Sequence, residues 1–549
     1  MDLKQGEGSF PKSIHFFNPI NQLKKSEAQM DLNPKFILII LAISLNIFFI
    51  NKPLHIDDGL FVSIGNHIAT HDIHEWYNFF GSNEKGLIFQ TFFNPPLVCY
   101  IIAIASKIIN NEFFYHLIFM IPCIFLITGI HKLAELLGSD SFYAGCFAIA
   151  TPVYMCCAPA IMSDVIMTCF FTWSIIFWIE GEKKNNLRFF LFSSICISLS
   201  FLSKYFGITA APLLFVFSIL KNKTVHPKLL FLLIPIAVAI FFEIFTMKLY
   251  GQGLLHRALL RPAHDDALDP RRIIIGLSFF GGCFIWWITQ LRLIPILLAA
   301  VFVFLVNLNQ LVWVPLNVFS KLQLILMASI GLSGFICLGK YLFQNKDPNK
   351  KHYYWLTGLW IAGTFIFSSF INWTVNARTM LPMIAPLSIL FSDIIRSKTS
   401  LNQQRFLFVF FFMFSLIIGM SDEELARSQK EAADTIMKVL PPENSYFEGG
   451  WGWSYYMTSI HGVKRLNYQN PPILTTKNYL IIPENNSNIL WPTNPQDYHI
   501  ICLKKNLTIP IALMSRQKSA GFHGSWGLLP FSFGLPPPEK YYVFNYAKK

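Results

Sequence analysis

The chain is short of charge. Asp, Glu, Lys and Arg make up 14% of its 549 residues, against roughly 25% in soluble globular proteins. Hydrophobic residues account for 53% and aromatic residues for 16%. The apolar residues fall in blocks of about 15 to 22 separated by short polar joints, the pattern of repeated membrane spans. This excludes a soluble enzyme, a disordered protein and a single-span receptor. A cysteine framework is also missing. Of ten Cys, eight (Cys123, Cys146, Cys156, Cys157, Cys169, Cys196, Cys283 and Cys337) lie inside apolar blocks, where thiols behave as small hydrophobes. Cys99 sits in a shorter apolar stretch and Cys502 stands alone in the last 129 residues; no CxxC pair suggests a metal. A cleavable leader is not expected either, because the first 35 residues are polar and the first apolar block should stay as an anchor.

What charge there is leans positive: 44 Lys and Arg against 31 Asp and Glu, net +13. In a soluble protein this would suggest nucleic acid. Here the basic residues occupy joints between spans, as the positive-inside rule expects, and no nucleic-acid partner is inferred. Spans are expected near 36–50, 113–131, 142–160, 162–179, 189–203, 205–220, 229–249, 273–290, 293–312, 317–339, 355–373, 377–395 and 406–420, thirteen in all. The joints with Lys183, Lys184 and Arg188, with Lys221, Lys223 and Lys228, with Lys340, Lys346, Lys350 and Lys351, and with Arg396, Lys398 and Arg405 should be cytoplasmic, together with the tail 1–35. Parity then requires 95–110, which begins Asn94-Pro95-Pro96, to lie along or dip into the outer membrane surface; the alternative is that it spans and another segment does not. The expected organisation is a cytoplasmic tail at 1–35, a membrane domain at 36–420 with large outer loops at 51–94 and 250–272, and an extracytoplasmic α/β domain at 421–549. That last domain should open with a helix at 422–439 and hold β-like runs at 478–482 and 498–503.

The outer loops carry the chemistry. His55-Ile56-Asp57-Asp58-Gly59-Leu60-Phe61 follows the first span directly. Two adjacent carboxylates at a membrane boundary are costly unless hydrated, paired or functional. They fit a helix N-cap, or a general base at the water–lipid interface. Three further residues are expected on the same side: Asp164 in Met162-Ser163-Asp164 at the start of a span, Lys204 at the tip of a hairpin, and Arg378 opening another span. Each alone is a cap or a snorkelling side chain; acids and bases from four elements on one surface make a site.

Loop 250–272 holds Arg257, Arg261, Arg271 and Arg272 with His256 and His264, against the positive-inside pattern. Arginine binds phosphate bidentately, so an anionic lipid accounts for them. Pairing with Asp265, Asp266 and Asp269 in the same loop accounts for them equally. His67, His71 and His74 share a helix face near Glu75, but the spacing closes no metal site. No cofactor is assigned, and a divalent metal is compatible with the chemistry.

These residues together resemble the GT-C superfamily of membrane glycosyltransferases, closest to the protein mannosyltransferases and the bacterial lipid A aminoarabinose transferases (glycosyltransferase family 39-like). The resemblance runs through Asp57-Asp58-Gly59-Leu60-Phe61 after the first span, Pro95-Pro96-Leu97, Ser163-Asp164, Ser203-Lys204, Arg378-Thr379-Met380-Leu381-Pro382 and the run Glu448-Gly449-Gly450-Trp451-Gly452-Trp453-Ser454-Tyr455-Tyr456. It covers nearly the whole chain and rests on the order and spacing of the motifs. It implies a polytopic α-helical GT-C fold in the bacterial inner membrane, with its active site facing the periplasm. The reaction implied moves a sugar from a polyprenyl-phosphate donor to a glycolipid, glycan or protein acceptor. The resemblance implies that Asp57 activates the acceptor hydroxyl, that Asp58 and Asp164 complete the catalytic set, and that Lys204, Arg257, Arg261 and Arg378, with His55 and Asn94 nearby, bind substrate. Asn94 stands where the aminoarabinose transferases carry Lys, and a neutral amide cannot pair with phosphate; this weakens the case for aminoarabinose.

Physical chemistry points the same way. A lipid phosphate leaving the anomeric carbon needs cationic stabilisation, and one carboxylate on the opposite face suffices for inverting displacement. The main rival is a polytopic transporter or flippase of a lipid-linked or anionic substrate. It should show inverted repeats and ionisable groups at mid-membrane. No repeat is visible, and Glu243 and Lys248 are the main charges deep in a span.

Overall fold

In the computed structural model, the protein is described over residues 33–71, 94–251, 253–260, 269–311, 314–344, 347, 350–466, 475–487, 489–524 and 526–547. The N-terminal tail up to residue 32, most of the loop between 71 and 94, Arg261, His264, Asp265, Asp266, His74 and Glu75 lie outside the described residues.

The protein is an integral membrane protein built mostly of helices. Among the described residues, eight are long and apolar enough to cross a bilayer: Glu112–Leu137, Ser163–Lys184, Tyr205–Asn222, Pro227–Tyr250, Val318–Gln344, Lys351–Ile371, Arg378–Arg396 and Leu401–Met437. Shorter apolar helices cover Pro34–Phe48, Leu97–Ile108, Leu187–Ser203, Arg272–Cys283 and Leu293–Leu305. Every expected span except 142–160 falls on one of these helices. The segment 142–160 is the clearest departure from a straight span. It forms Ser141–Ile149, breaks, and restarts at Pro152–Cys157. Thr151 sets the break: its hydroxyl accepts from the Tyr154 amide, and Pro152 takes the first helical position where no amide hydrogen is needed. Irregular backbone follows to residue 162 and is buried among helices, the condition under which membrane proteins tolerate it.

Burial sorts the bundle. Ser163–Lys184 is 83% buried and Arg378–Arg396 89% buried over their most apolar windows, whereas Pro227–Tyr250 is only 28% buried. The first two are central and the third is peripheral. Leu230, Leu233, Ile240, Phe241 and Ile244 on the peripheral helix are exposed, as a lipid-facing surface requires. Small polar residues let Leu187–Ser203 pack closely on Ser163–Lys184: Ser193 donates to the Ser174 carbonyl at 2.7 Å and Ser200 to the Met167 carbonyl at 2.9 Å. Basic residues gather at one end of the bundle, where Lys221 and Lys228 pair with Glu182 at 3.2 and 2.6 Å. The ends of the spans at the other side carry Asp57, Asp164, Lys204 and Arg378.

Leu97–Ile108 has 12 residues, a length of about 18 Å at 1.5 Å per residue, too short for a bilayer core of about 30 Å. It packs on helix Asp58–Thr70, where a Cβ on Gly65 would strike Ile102. The C-terminal residues form a small mixed sheet in the order Lys464–Arg465, Ser445–Phe447, Tyr479–Pro483, Glu539–Tyr546, Tyr498–Lys505. The first three strands are parallel, and Glu539–Tyr546 runs antiparallel to both its neighbours. This sheet is not set apart from the bundle by a fresh helix at 422. Leu401–Met437 is one helix of 37 residues that leaves the membrane and continues into the C-terminal part. No proline interrupts it, and Ser421 and Asp422 find partners in the Ile511 carbonyl and the Lys52 ammonium.

Glu539, in the sheet, is buried and accepts from Asn485 Nδ2 at 2.8 Å. Burial pushes its carboxyl up to about 8. A carboxyl that holds its proton more tightly folded than unfolded loses stability as pH rises between the two values, here from the ordinary 4.5 to about 8. Hydrogen exchange of the Glu539–Tyr546 amides, corrected for the intrinsic rate, should therefore show weaker protection at pH 8 than at pH 5. The limiting slope is about 1.4 kcal/mol per pH unit. Glu539→Gln should flatten the dependence; an unchanged slope in that variant would assign it elsewhere.

Candidate active site

Helix Pro34–Phe48 ends at the active end of the bundle, and the chain turns back through Lys52 to Asp57. Ile56, just before Asp57, has φ of 49°. A β-branched residue rarely enters this left-handed region, and such strain persists where surrounding contacts enforce it. Those contacts are visible. The Leu54 amide donates to Tyr456 Oη at 2.7 Å, and His116 Nε2 donates to the Lys52 carbonyl at 2.8 Å. Gly452 lies so close beneath Leu54 that a Cβ there would collide with the Leu54 carbonyl oxygen.

The two aspartates divide in environment. Asp58 is fully buried. One of its oxygens accepts from the His55 amide at 3.0 Å and the other from the Ile161 amide at 2.9 Å, which ties the loop to the irregular stretch before residue 163. Burial raises its carboxyl to about 7, against the pull of Lys52. Asp57 occupies the N-cap position of helix Asp58–Thr70 but makes no capping bond. Its carboxylate instead accepts from Arg378 Nη1 at 2.8 Å, and it is 39% exposed.

Arg378 Nη2 also donates to the His523 carbonyl at 3.0 Å, and Nη1 lies 2.9 Å from Met162 Sδ. Asp164, buried in the first turn of the central helix, accepts from Lys204 Nζ at 2.6 Å. Lys204 is held at the tip of its hairpin as the extended C-cap of Leu187–Ser203. The Asp164 charge also acts on Arg378. Two carboxylates and two cations from four elements thus form one cluster, with Asp57 its most open carboxylate. Lys204→Ala would leave Asp164 buried beside a single remaining cation, so a loss of roughly 3 kcal/mol is expected in unfolding measured in detergent. Lys204→Arg should recover much of it.

The other expected residues are placed differently. His55 is buried behind the loop, with its ring edge-on to Trp451 at 6.2 Å and to His523 at 5.6 Å; burial lowers its imidazole to about 3. Asn94 is half-buried just ahead of Pro95-Pro96. In the loop after residue 250, Arg271 Nε pairs with Asp269 at 2.6 Å and Arg272 Nη2 donates to the Asn372 carbonyl at 2.7 Å. These two arginines serve the fold. Arg257 is on the short helix Leu254–Leu260, while Glu243, a charge expected deep in a span, accepts from the amides of Leu255 and His256 at that helix's start. His67 and His71 stack at 4.0 Å.

Sequence reasoning missed the buried group behind Asp57. Lys52 Nζ pairs with Asp422 Oδ2 at 2.6 Å, both almost fully buried, and His523 Nε2 donates to Asp422 Oδ1 at 2.8 Å. The Asp422 carboxylate holds the Lys52 ammonium above its ordinary value although burial opposes it. The one available signal was an unpaired acid and an unpaired base, each within a turn of a span end.

Comparison with known proteins gives a family for part of the chain. Residues 94–245 match the family model for dolichyl-phosphate-mannose-protein mannosyltransferases. No curated protein matches the chain. Among solved structures, ArnT from Cupriavidus metallidurans bound to undecaprenyl phosphate is similar at 12% identity, over 82% of this chain and 92% of that one, with a TM-score of 0.42. The oligosaccharyltransferase of Archaeoglobus fulgidus tethered to an acceptor peptide is similar at 12% identity, over 83% of this chain and 70% of that one, with a TM-score of 0.46. The match covers 94–245 of the 549 residues and makes that part of the bundle similar to the dolichyl-phosphate-mannose-protein mannosyltransferases, in line with the GT-C resemblance of the motifs.

Proposed function

We propose that the protein takes a sugar from a polyprenyl-phosphate donor and transfers it, with inversion, to a hydroxyl of an envelope glycolipid, glycan or protein. Asp57 is the general base. The observation that carries this is the Asp57–Arg378 pair at 2.8 Å with the Asp164–Lys204 pair beside it, two acids and two cations poised at the ends of spans. Arg378 and Lys204 neutralise the departing lipid phosphate, while Asp57, freed as Arg378 turns to phosphate, takes the acceptor proton. Asp58 positions the loop, and Asp164 orients the two cations. Arg257, and Arg261 four residues further along the sequence, are the further candidates for contact with the donor phosphate. A phosphate leaving group needs no acid catalyst, so one open carboxylate is enough. The match to a family described by a dolichyl-phosphate sugar donor, and the undecaprenyl phosphate bound to ArnT, support a lipid phosphate. The charge pattern of the joints supports a site on the side of the membrane away from the cytoplasm, which in a bacterial inner membrane is the periplasm. The domain division proposed is a cytoplasmic tail 1–35, a catalytic membrane domain 36–420 and an extracytoplasmic part 421–549.

The test is incubation of purified protein with labelled polyprenyl-phosphate sugars and membrane extracts, with products read by mass spectrometry. Transfer from one donor with inverted anomeric configuration is expected; no transfer from any donor of this class would overturn the proposal. With the active donor, Arg378→Lys should raise KM for the donor more than it lowers kcat, since an ammonium lacks the fork that reaches two partners.

A further inference from the structure

His55, Asp422 and His523 are far apart in sequence and come from three separate structural elements: the loop after the first helix, the long helix Leu401–Met437, and the segment between short strands near the C-terminus. One donor atom from each lies within 4.8 Å of the other two, and all three residues are buried. Asp422 is oriented for two tasks. Oδ2 takes the Lys52 ammonium at 2.6 Å, and Oδ1 faces both imidazoles, 2.8 Å from His523 Nε2 and 3.6 Å from His55 Nε2. The latter distance is too long for a hydrogen bond. His55 is 1% exposed, and neither of its ring nitrogens has a hydrogen-bond partner. A buried polar side chain with no partner is costly and calls for an explanation. It cannot be an apolar packing choice, because the ring points its nitrogen at a carboxylate and a second histidine.

We propose that His55, Asp422 and His523 bind a transition-metal ion, with Zn²⁺ the ion best suited. Two imidazoles and one carboxylate form a donor set that zinc takes readily, whereas Mg²⁺ and Ca²⁺ prefer all-oxygen sites. The ion would satisfy His55 Nε2, the stranded nitrogen that faces Asp422, and convert three separate segments into one cross-linked unit. Its place gives it a task. His55 lies two residues before Asp57, and the His523 backbone carbonyl holds Arg378. A metal here fixes the acid and the cation of the active site relative to each other from behind, out of reach of the substrate. It acts by positioning and takes no part in the transfer.

The experiment reads metal directly and does not depend on any transferase assay. Wild-type protein purified without chelator is analysed by inductively coupled plasma mass spectrometry and by zinc X-ray absorption. About one zinc per chain is expected, with two imidazoles and no sulfur in the first coordination sphere. His55→Gln, Asp422→Asn and His523→Ala should each drop the content below about a tenth of that, and His67→Ala should leave it unchanged. Chelator-stripped wild type should take up Zn²⁺ again and unfold at a higher temperature with it than without. Wild type that neither carries zinc nor acquires it from a buffered Zn²⁺ solution would overturn the proposal. So would a sulfur-bound or imidazole-free zinc, or full zinc content in folded His523→Ala. Should the variants fail to fold, the wild-type content and its absorption spectrum decide the matter alone.

Discussion

Asp57→Asn protein should transfer sugar about 10²–10⁴-fold more slowly than wild type, the contribution expected of a positioned general base. The substitution keeps shape and volume and removes the charge. Asp57 is 39% exposed and makes no capping bond, so folding should be little affected, and detergent-solubilised yield and unfolding temperature should match wild type. Losing the carboxylate also releases Arg378 from its 2.8 Å pair, so donor binding should hold or tighten while kcat collapses. That split separates a base from a mere salt-bridge partner: a structural role would lower stability and raise KM with kcat spared. Single-turnover rates with the lipid-linked donor give the comparison. Near-normal turnover by Asp57→Asn would remove Asp57 from the mechanism.

Gly452→Ala should be nearly as damaging although residue 452 touches no substrate. The added methyl would occupy the position of the Leu54 carbonyl oxygen. Either the loop 54–58 or the helix Trp451–Tyr455 has to move. The loop is anchored by Tyr456 at Leu54 and by Asp58 at Ile161, so a shift of about 1 Å reaches Asp57, and displacements of that size cost roughly 10²-fold in rate. Overpacking adds about 1–3 kcal/mol of destabilisation. Gly363, around which a Cβ would meet nothing within 4 Å, is the control: Gly363→Ala should retain wild-type rate. Wild-type kcat in Gly452→Ala would mean that the tryptophan-rich run does not support the loop.

The membrane architecture was legible because it is written locally. Each apolar block reports its own helix, and each expected span coincides with helical structure. The cluster of Asp57, Asp164, Lys204 and Arg378 was legible for a related reason: all four lie at span ends, and parity alone brings those ends to one side. Lys52, Asp422 and His523 were not. A lone lysine after a span looks like an anchor, a lone aspartate like a cap, and nothing within reach of either says they will meet across 370 residues at 2.6 Å. The different environments of Asp57 and Asp58 were equally hidden, since they depend on backbone amides at 55 and 161 that no side-chain pattern reports. The helix expected to start at 422 begins at Leu401 instead, because hydropathy falls near 421 while the helix does not stop.

That uninterrupted helix limits how the protein can be recombined. Leu401–Met437 enters from the bilayer, carries Asp422 against Lys52 and His523, and continues beneath the sheet. A chimera joined at 420, with the last 129 residues taken from another enzyme, would exchange both a strut and the carboxylate that latches it. Such a graft should work only where the donor half brings its own acid and imidazole in register with Lys52 and His55, so the C-terminal part cannot be transplanted as a bolt-on unit.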